Sequence, residues 1–222
     1  MKDILLPAGL AMFLILPATG FLSDSHAMSI VDGSPAIIQS MDLPANTIPG
    51  SDGRTIDIVG SSSNSGSGAG RAKGNSYEVN IDIVLDEAEF WLNFSNTMML
   101  TYYVFTCPDE FGTYTEVYRN SESVTGTGAG WYSSGPVSVD LDAGSHYIIA
   151  VSWDGTLTYY FDTGESQATS FGSYTHGYAS GSDPLPASFN SLSNDQAIYH
   201  QRLTTTEITM LDNTTWGAIK AL

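Results

Sequence analysis

Apolar residues recur at every second position through much of this chain. Tyr77, Val79, Ile81, Ile83 and Leu85 alternate with Glu78, Asn80 and Asp82, and Phe90, Leu92 and Phe94 alternate with Glu89, Trp91 and Asn93. A repeat of two residues puts one face of a strand in a core and the other in water. From Met98 to Thr106 the run Met-Met-Leu-Thr-Tyr-Tyr-Val-Phe-Thr is almost unbroken, as expected of a strand covered on both faces. Further strands are predicted over 114–119, 137–141, 146–153, 156–161 and 197–203, with a short one over 55–59. Asp154-Gly155 reads as a tight hairpin because both residues tolerate positive φ, and Ala143-Gly144 makes another turn. No helix-period stretch follows residue 27. The pattern specifies an all-β fold, an antiparallel β-sandwich of jelly-roll type, with a closed barrel as the alternative. Tyr77, Val79, Ile81, Ile83, Leu92, Phe94, Ile148 and Ala150 are expected to face the core.

Three stretches depart from this rhythm. Residues 28–53 carry Pro35, Pro44 and Pro49 with no sustained period, and residues 60–70 are Gly and Ser with little to bury. Together, 28–70 read as an extended leader with one possible strand and a flexible linker. The sandwich domain is then expected over 71–206, followed by a last strand or tag-like segment, 207–222, that contains Thr215-Trp216-Gly217-Ala218-Ile219-Lys220. The third departure is a predicted loop over 162–196 holding Phe171, Tyr174, His176, Tyr178 and Phe189. Loops of that length are functional or disordered, and aromatic rings argue against disorder.

Residues 1–27 read as a signal peptide. Lys2 precedes an apolar stretch over 4–16, and Ser25-His26-Ala27 offers small residues at a cleavage site. The stretch is shorter than the ~20 residues that span a bilayer, so no membrane segment is expected after cleavage; an uncleaved anchor is the alternative. The expected location is secreted or at the cell surface. With 7 Lys and Arg against 24 Asp and Glu, the net charge of -17 excludes nucleic acid as a partner. Cys107 is the only cysteine, so no intramolecular disulfide forms, which suits a bacterial envelope or medium better than a disulfide-rich extracellular domain.

The segments Phe111-Gly112-Thr113-Tyr114, Gly128-Ala129-Gly130-Trp131-Tyr132-Ser133-Ser134-Gly135, and Leu141-Asp142-Ala143-Gly144 leading into His146-Tyr147-Ile148-Ile149-Ala150-Val151-Ser152-Trp153 carry a resemblance. The chain over 74–203 resembles β-sandwich modules, jelly-roll-like, appended to secreted bacterial surface proteins and peptidases. The resemblance implies the fold and an appended, extracellular role; it brings no catalytic residues.

The chemistry points the same way. Cys107 before Pro108 has the placement of a packed thiol, and His146, His176 and His200 accompany no recognisable nucleophile, so no enzyme is expected. No His/Cys pair has zinc-ligand spacing. Glycoside hydrolysis needs only two opposed carboxylates, for which Glu78, Asp82, Asp86, Glu87 and Glu89 are candidates; their alternation with apolar residues reads first as a solvated strand face. Calcium takes loop carboxylates, and Asp140, Asp142 and Asp154, with Asp183 and Asp195, are turn candidates without a spaced motif. Sugars stack on exposed rings, and Trp131, Tyr132, Tyr174, His176 and Tyr178, all in predicted loops, could form such a platform; the alternative is that the long loop folds down as a lid. The expected function is a non-catalytic module for extracellular binding or adhesion, to a glycan or a surface protein. A self-assembling envelope or filament subunit, polymerising by exchange of the strand around Ile56, Ile58 and Val59, is the alternative, and a small glycoside hydrolase a weaker one.

Overall fold

A computed structural model describes residues 44–208 apart from 45, 51, 165 and 192–194. The segment expected to be a signal peptide, the first part of the expected leader and nearly all of the tag-like end lie outside these residues. The described chain forms fourteen strands and, among the described residues, no helix: β1 Thr47–Pro49, β2 Arg54–Val59, β3 Asn64–Val79, β4 Ile83–Phe94, β5 Thr97–Cys107, β6 Thr113–Thr125, β7 Gly128–Ser133, β8 Val139–Leu141, β9 His146–Thr163, β10 Gln167–Ala168, β11 Gly172–Ser180, β12 Ser188–Asn190, β13 Ala197–Tyr199 and β14 Gln201–Glu207. All pairings are antiparallel, in one network ordered β1-β2-β14-β4-β9-β3-β11-β10, with β5 and β6 joined beside β9 and β7 and β8 beside β4. The sheet curls so that β4 and β14 face β3, β5 and β9 across a common core. Val59, Tyr77, Val79, Ile83, Leu92, Phe94, Val104, Ile149, Trp153 and Leu203 meet there.

The period-2 reading holds for the core. Tyr77, Val79, Ile83, Leu92 and Phe94 are buried in it, and Ile81 packs against it half-buried. Ile148 and Ala150 are also buried, but in a second cluster on the outer side of β5 and β9, with Tyr103, Phe105, Cys107, Tyr114, Tyr178 and Leu185. The unbroken run in β5 thus covers both its faces, Leu100, Tyr102 and Val104 inward and Tyr103, Phe105 and Cys107 outward.

Four expectations change. The Gly/Ser tract is not a linker: it is the first half of β3, with Asn64 to Ala69 paired to Phe161 to Thr156 of β9. Asp154-Gly155 is not a hairpin, because both halves of β9 pair with β3; these two residues sit opposite Gly70, whose φ is +61°, at a register shift between Ala69 and Arg71. A turn signal has become a corner, where both strands pass from the β5 side to the β4 side. The long loop over 162–196 contains strands, since β11 pairs with β3 from Gly172↔Val79 to Ser180↔Ala72. The compact unit also starts before Arg71: β2 pairs with β14 inside its own sheet. Asp57 of β2 is fully buried, accepting hydrogen bonds from the Thr47 hydroxyl (2.7 Å) and from the Ser170 N–H (2.8 Å) and hydroxyl (2.6 Å).

Candidate functional site

The five residues expected to make a sugar platform do not share an exposed surface. Trp131 and Tyr132 lie on β7 and not in a loop, and Tyr174, His176 and Tyr178 lie on β11. Tyr132 turns inward onto Phe94 (4.5 Å between ring centres), with its hydroxyl donating to Gly128 O. Tyr174 is 1% exposed, and burial pushes its phenol pKa well up. Tyr178 packs against Phe189 at 4.9 Å. His176 is 2% exposed beneath Phe111 (5.1 Å, stacked), with Nδ1 3.4 Å from Glu110 Oε1 and Nε2 unpartnered; burial lowers its pKa. Tyr132 and Tyr174 belong to the inner core, and Tyr178 is covered by a lid: residues 181–191 lie across the outer side of β5 and β6. Leu185 N donates to the Tyr103 hydroxyl, Glu116 N donates to Ala187 O, and Phe189 meets Phe105 edge-on and stacks on Tyr114.

The proposed calcium ligands are likewise dispersed. Asp140 and Asp142 flank Leu141 near the start of β9, whereas Asp154 lies eight residues further along it, roughly 26 Å in an extended strand. Asp154 accepts from Met99 N (3.0 Å). Among the described residues no three His, Cys, Asp or Glu side chains are arranged to hold a metal ion.

Only Trp131 of the predicted platform keeps part of its ring in water, and it has company that sequence reasoning passed over. Its direct cross-strand partner is Trp91 on β4, with ring centres 5.2 Å apart and an edge-to-face angle of 76°. His200, in the one-residue break between β13 and β14, approaches Trp131 to 4.7 Å and Trp91 to 5.9 Å. Arg202 of β14 lies over the Trp131 ring at 4.9 Å and grips Glu89 of β4 through Nε and Nη2. That hydrogen bonding raises the Arg202 pKa further and keeps the guanidinium charged. His200 Nδ1 has no partner and burial lowers its pKa, so the ring is neutral near pH 7. Rings and cation together form a half-exposed patch fixed from β4, β7 and β14.

The patch continues along β4. Inward positions are Ile83 and Leu85, then Ala88, Phe90, Leu92 and Phe94. The parity switches at Asp86-Glu87, where β14 shifts register between Thr204 and Thr205. This bulge turns two successive carboxylates outward, onto the face that holds Glu89 and Trp91. Glu87 accepts from the Ser133 hydroxyl, and Asp86 accepts from Thr206 (2.6 Å) with Arg54 Nε at 3.9 Å. Arg54, Asp86, Glu87, Pro136 and Ser138 line a cleft of about 170 Å³. Its two carboxylates are neighbours on one strand, whereas hydrolysis needs them on opposite sides of the bond.

A larger groove, about 480 Å³, lies at the lid margin between Met99, Arg119, Asp154 and Asp183. Its polar groups hold the lid: Ser152 donates to Asp183, and Arg119 donates to Leu185 O (2.8 Å) and pairs with Glu116. No protein-family model matches the chain, and no characterised protein matches it in sequence. Function therefore has to be read from the chemistry of these surfaces.

Proposed function

We propose that this protein is a non-catalytic extracellular binding module whose ligand is a glycan held on the Trp91–Trp131 face. One observation carries the reading: two tryptophans sit half-exposed on paired strands, locked by His200 and the Arg202–Glu89 pair, so their rings are presented without an ordering cost. Stacking on a pyranose removes the remaining apolar ring surface from water, while Arg202 and Glu89 border it as hydrogen-bonding groups. The resemblance to appended β-sandwich modules fits the same role.

Polymerisation by strand exchange is the second reading. It would have to draw β2 out of its own sheet and leave the Asp57 carboxylate without its three donors, which weighs against it.

The test is binding of the described domain to a panel of soluble and insoluble polysaccharides, wild type against Trp91→Ala with Trp131→Ala. With about 1 kcal/mol per stacked ring, the double variant is expected to bind roughly 30-fold more weakly with its circular dichroism unchanged. Binding that survives the double substitution puts the ligand elsewhere. Concentration-dependent oligomers of the full chain on size exclusion would favour assembly instead.

A further inference from the structure

We infer that the ligand of this face is an uncharged, linear oligosaccharide of at least three rings, running along β4 from the Trp131 ring to the Arg54–Glu87 cleft; this rests on the glycan reading above. The bulge at Asp86-Glu87 is the first support, since it brings the cleft carboxylates, Glu89 and Trp91 onto one face of one strand. Without the parity switch, one of the two carboxylates would point into the core. Span is the second. Four residues separate Glu87 from Trp91, about 13 Å along a strand, more than twice the length of a pyranose ring, so three linked rings are needed to touch both ends.

The cleft has the chemistry of a sugar subsite. Asp86 and Glu87 are each held by one hydroxyl, Thr206 and Ser133 respectively, which leaves the second oxygen of each carboxylate for a sugar hydroxyl. Pro136 offers an apolar wall to a ring C–H face. Charge selects among glycans. The two cations on this face are already committed, Arg202 to Glu89 and Arg54 to Asp86 and to Asp52 at 3.7 Å. A chain of uronic acids or sulfated sugars would meet Asp86, Glu87 and a net charge of -17 with no free cation among the described residues of the face to offset them.

The experiment is isothermal titration of the full chain with cello-oligosaccharides and N-acetylated chito-oligosaccharides of one to six rings, with oligogalacturonate as the anionic control. Affinity for at least one uncharged series is expected to rise tenfold or more from one ring to three and then level off. Glu87→Gln is expected to bring the three-ring to one-ring ratio toward unity, whereas Trp131→Ala weakens every length. Equal affinity for one and three rings, or tighter binding of oligogalacturonate, overturns the inference while leaving glycan binding in place. No binding in any series overturns both. The wild-type ladder decides even if Glu87→Gln does not fold.

Discussion

On the outer side of β5, β6 and β9, Tyr103, Phe105 and Tyr114 disappear under Leu185 and Phe189 of the lid, each 1% exposed or less. On the outer side of β4, β7 and β14, Trp91, Trp131 and His200 touch one another and still keep part of their surface in water. Both faces are rich in rings, and both are laid on regular antiparallel ladders. What separates them, among the described residues, is whether a later segment returns across the sheet. The first face therefore contributes to stability, and the second is the one on which we propose that a ligand binds.

The sharpest way to break this contrast is to treat a ring from each face alike. Phe105→Ala removes a fully buried ring that stacks on Tyr103 and meets Phe189 edge-on, and is expected to cost about 3–5 kcal/mol in urea unfolding. A loss as small as that of a surface substitution would mean that the lid is not packed down.

Acid separates the faces less strongly. His176 and His200 both have pKa values lowered by burial, so the folded state prefers each ring neutral. Their contribution is fully present above the ordinary value near 6.5 and is lost as pH falls below it, because the unfolded chain takes up the proton first. The melting temperature is expected to drop between pH 7.5 and pH 5. His176 has Glu110 3.4 Å away to offset part of its penalty and His200 has no such partner, so His200→Gln should flatten the profile more. An unchanged slope in that variant would assign the acid response elsewhere.

The smallest effect belongs to Trp131→Ala alone. Its ring is only half-buried, and its loss is expected to cost about 1 kcal/mol of stability through the contacts with Trp91, His200 and Arg202. A cost like that of Phe105→Ala would make Trp131 a core residue and remove the platform.

Much of the strand framework was legible in the chain, and the reasons for the failures are local. β5 announced itself because both its faces are apolar. The first half of β3 did not, since Asn64 to Ala69 has almost no side chain to bury and is a strand only because β9 pairs along it. Tyr77 to Leu85 read as one strand because Ile81, in the turn between β3 and β4, keeps parity with its neighbours and packs on the core. At the site, Trp131 was visible as an aromatic in a Gly/Ser context, whereas Trp91 was hidden as the outward residue of an ordinary alternation. The pairing Trp91↔Trp131 depends on register across some forty residues, which a linear pattern does not encode. The change from Leu85 to Ala88 in apolar parity was the one available sign of the bulge.

The buried ties that close the fold are all distant in sequence. Asp57 finds Ser170 113 residues away, Tyr77 finds Gln201 124 residues away, and β2, paired with β1 on one edge, acquires its second partner only when β14 has been made. A chain built on such non-local pairings folds slowly, and its early segments have nothing stable to form while they wait. Until β14 is made, β2 lacks its second neighbour and Tyr77 its Gln201 partner, so this side of the sheet cannot close before nearly all of the described chain is present.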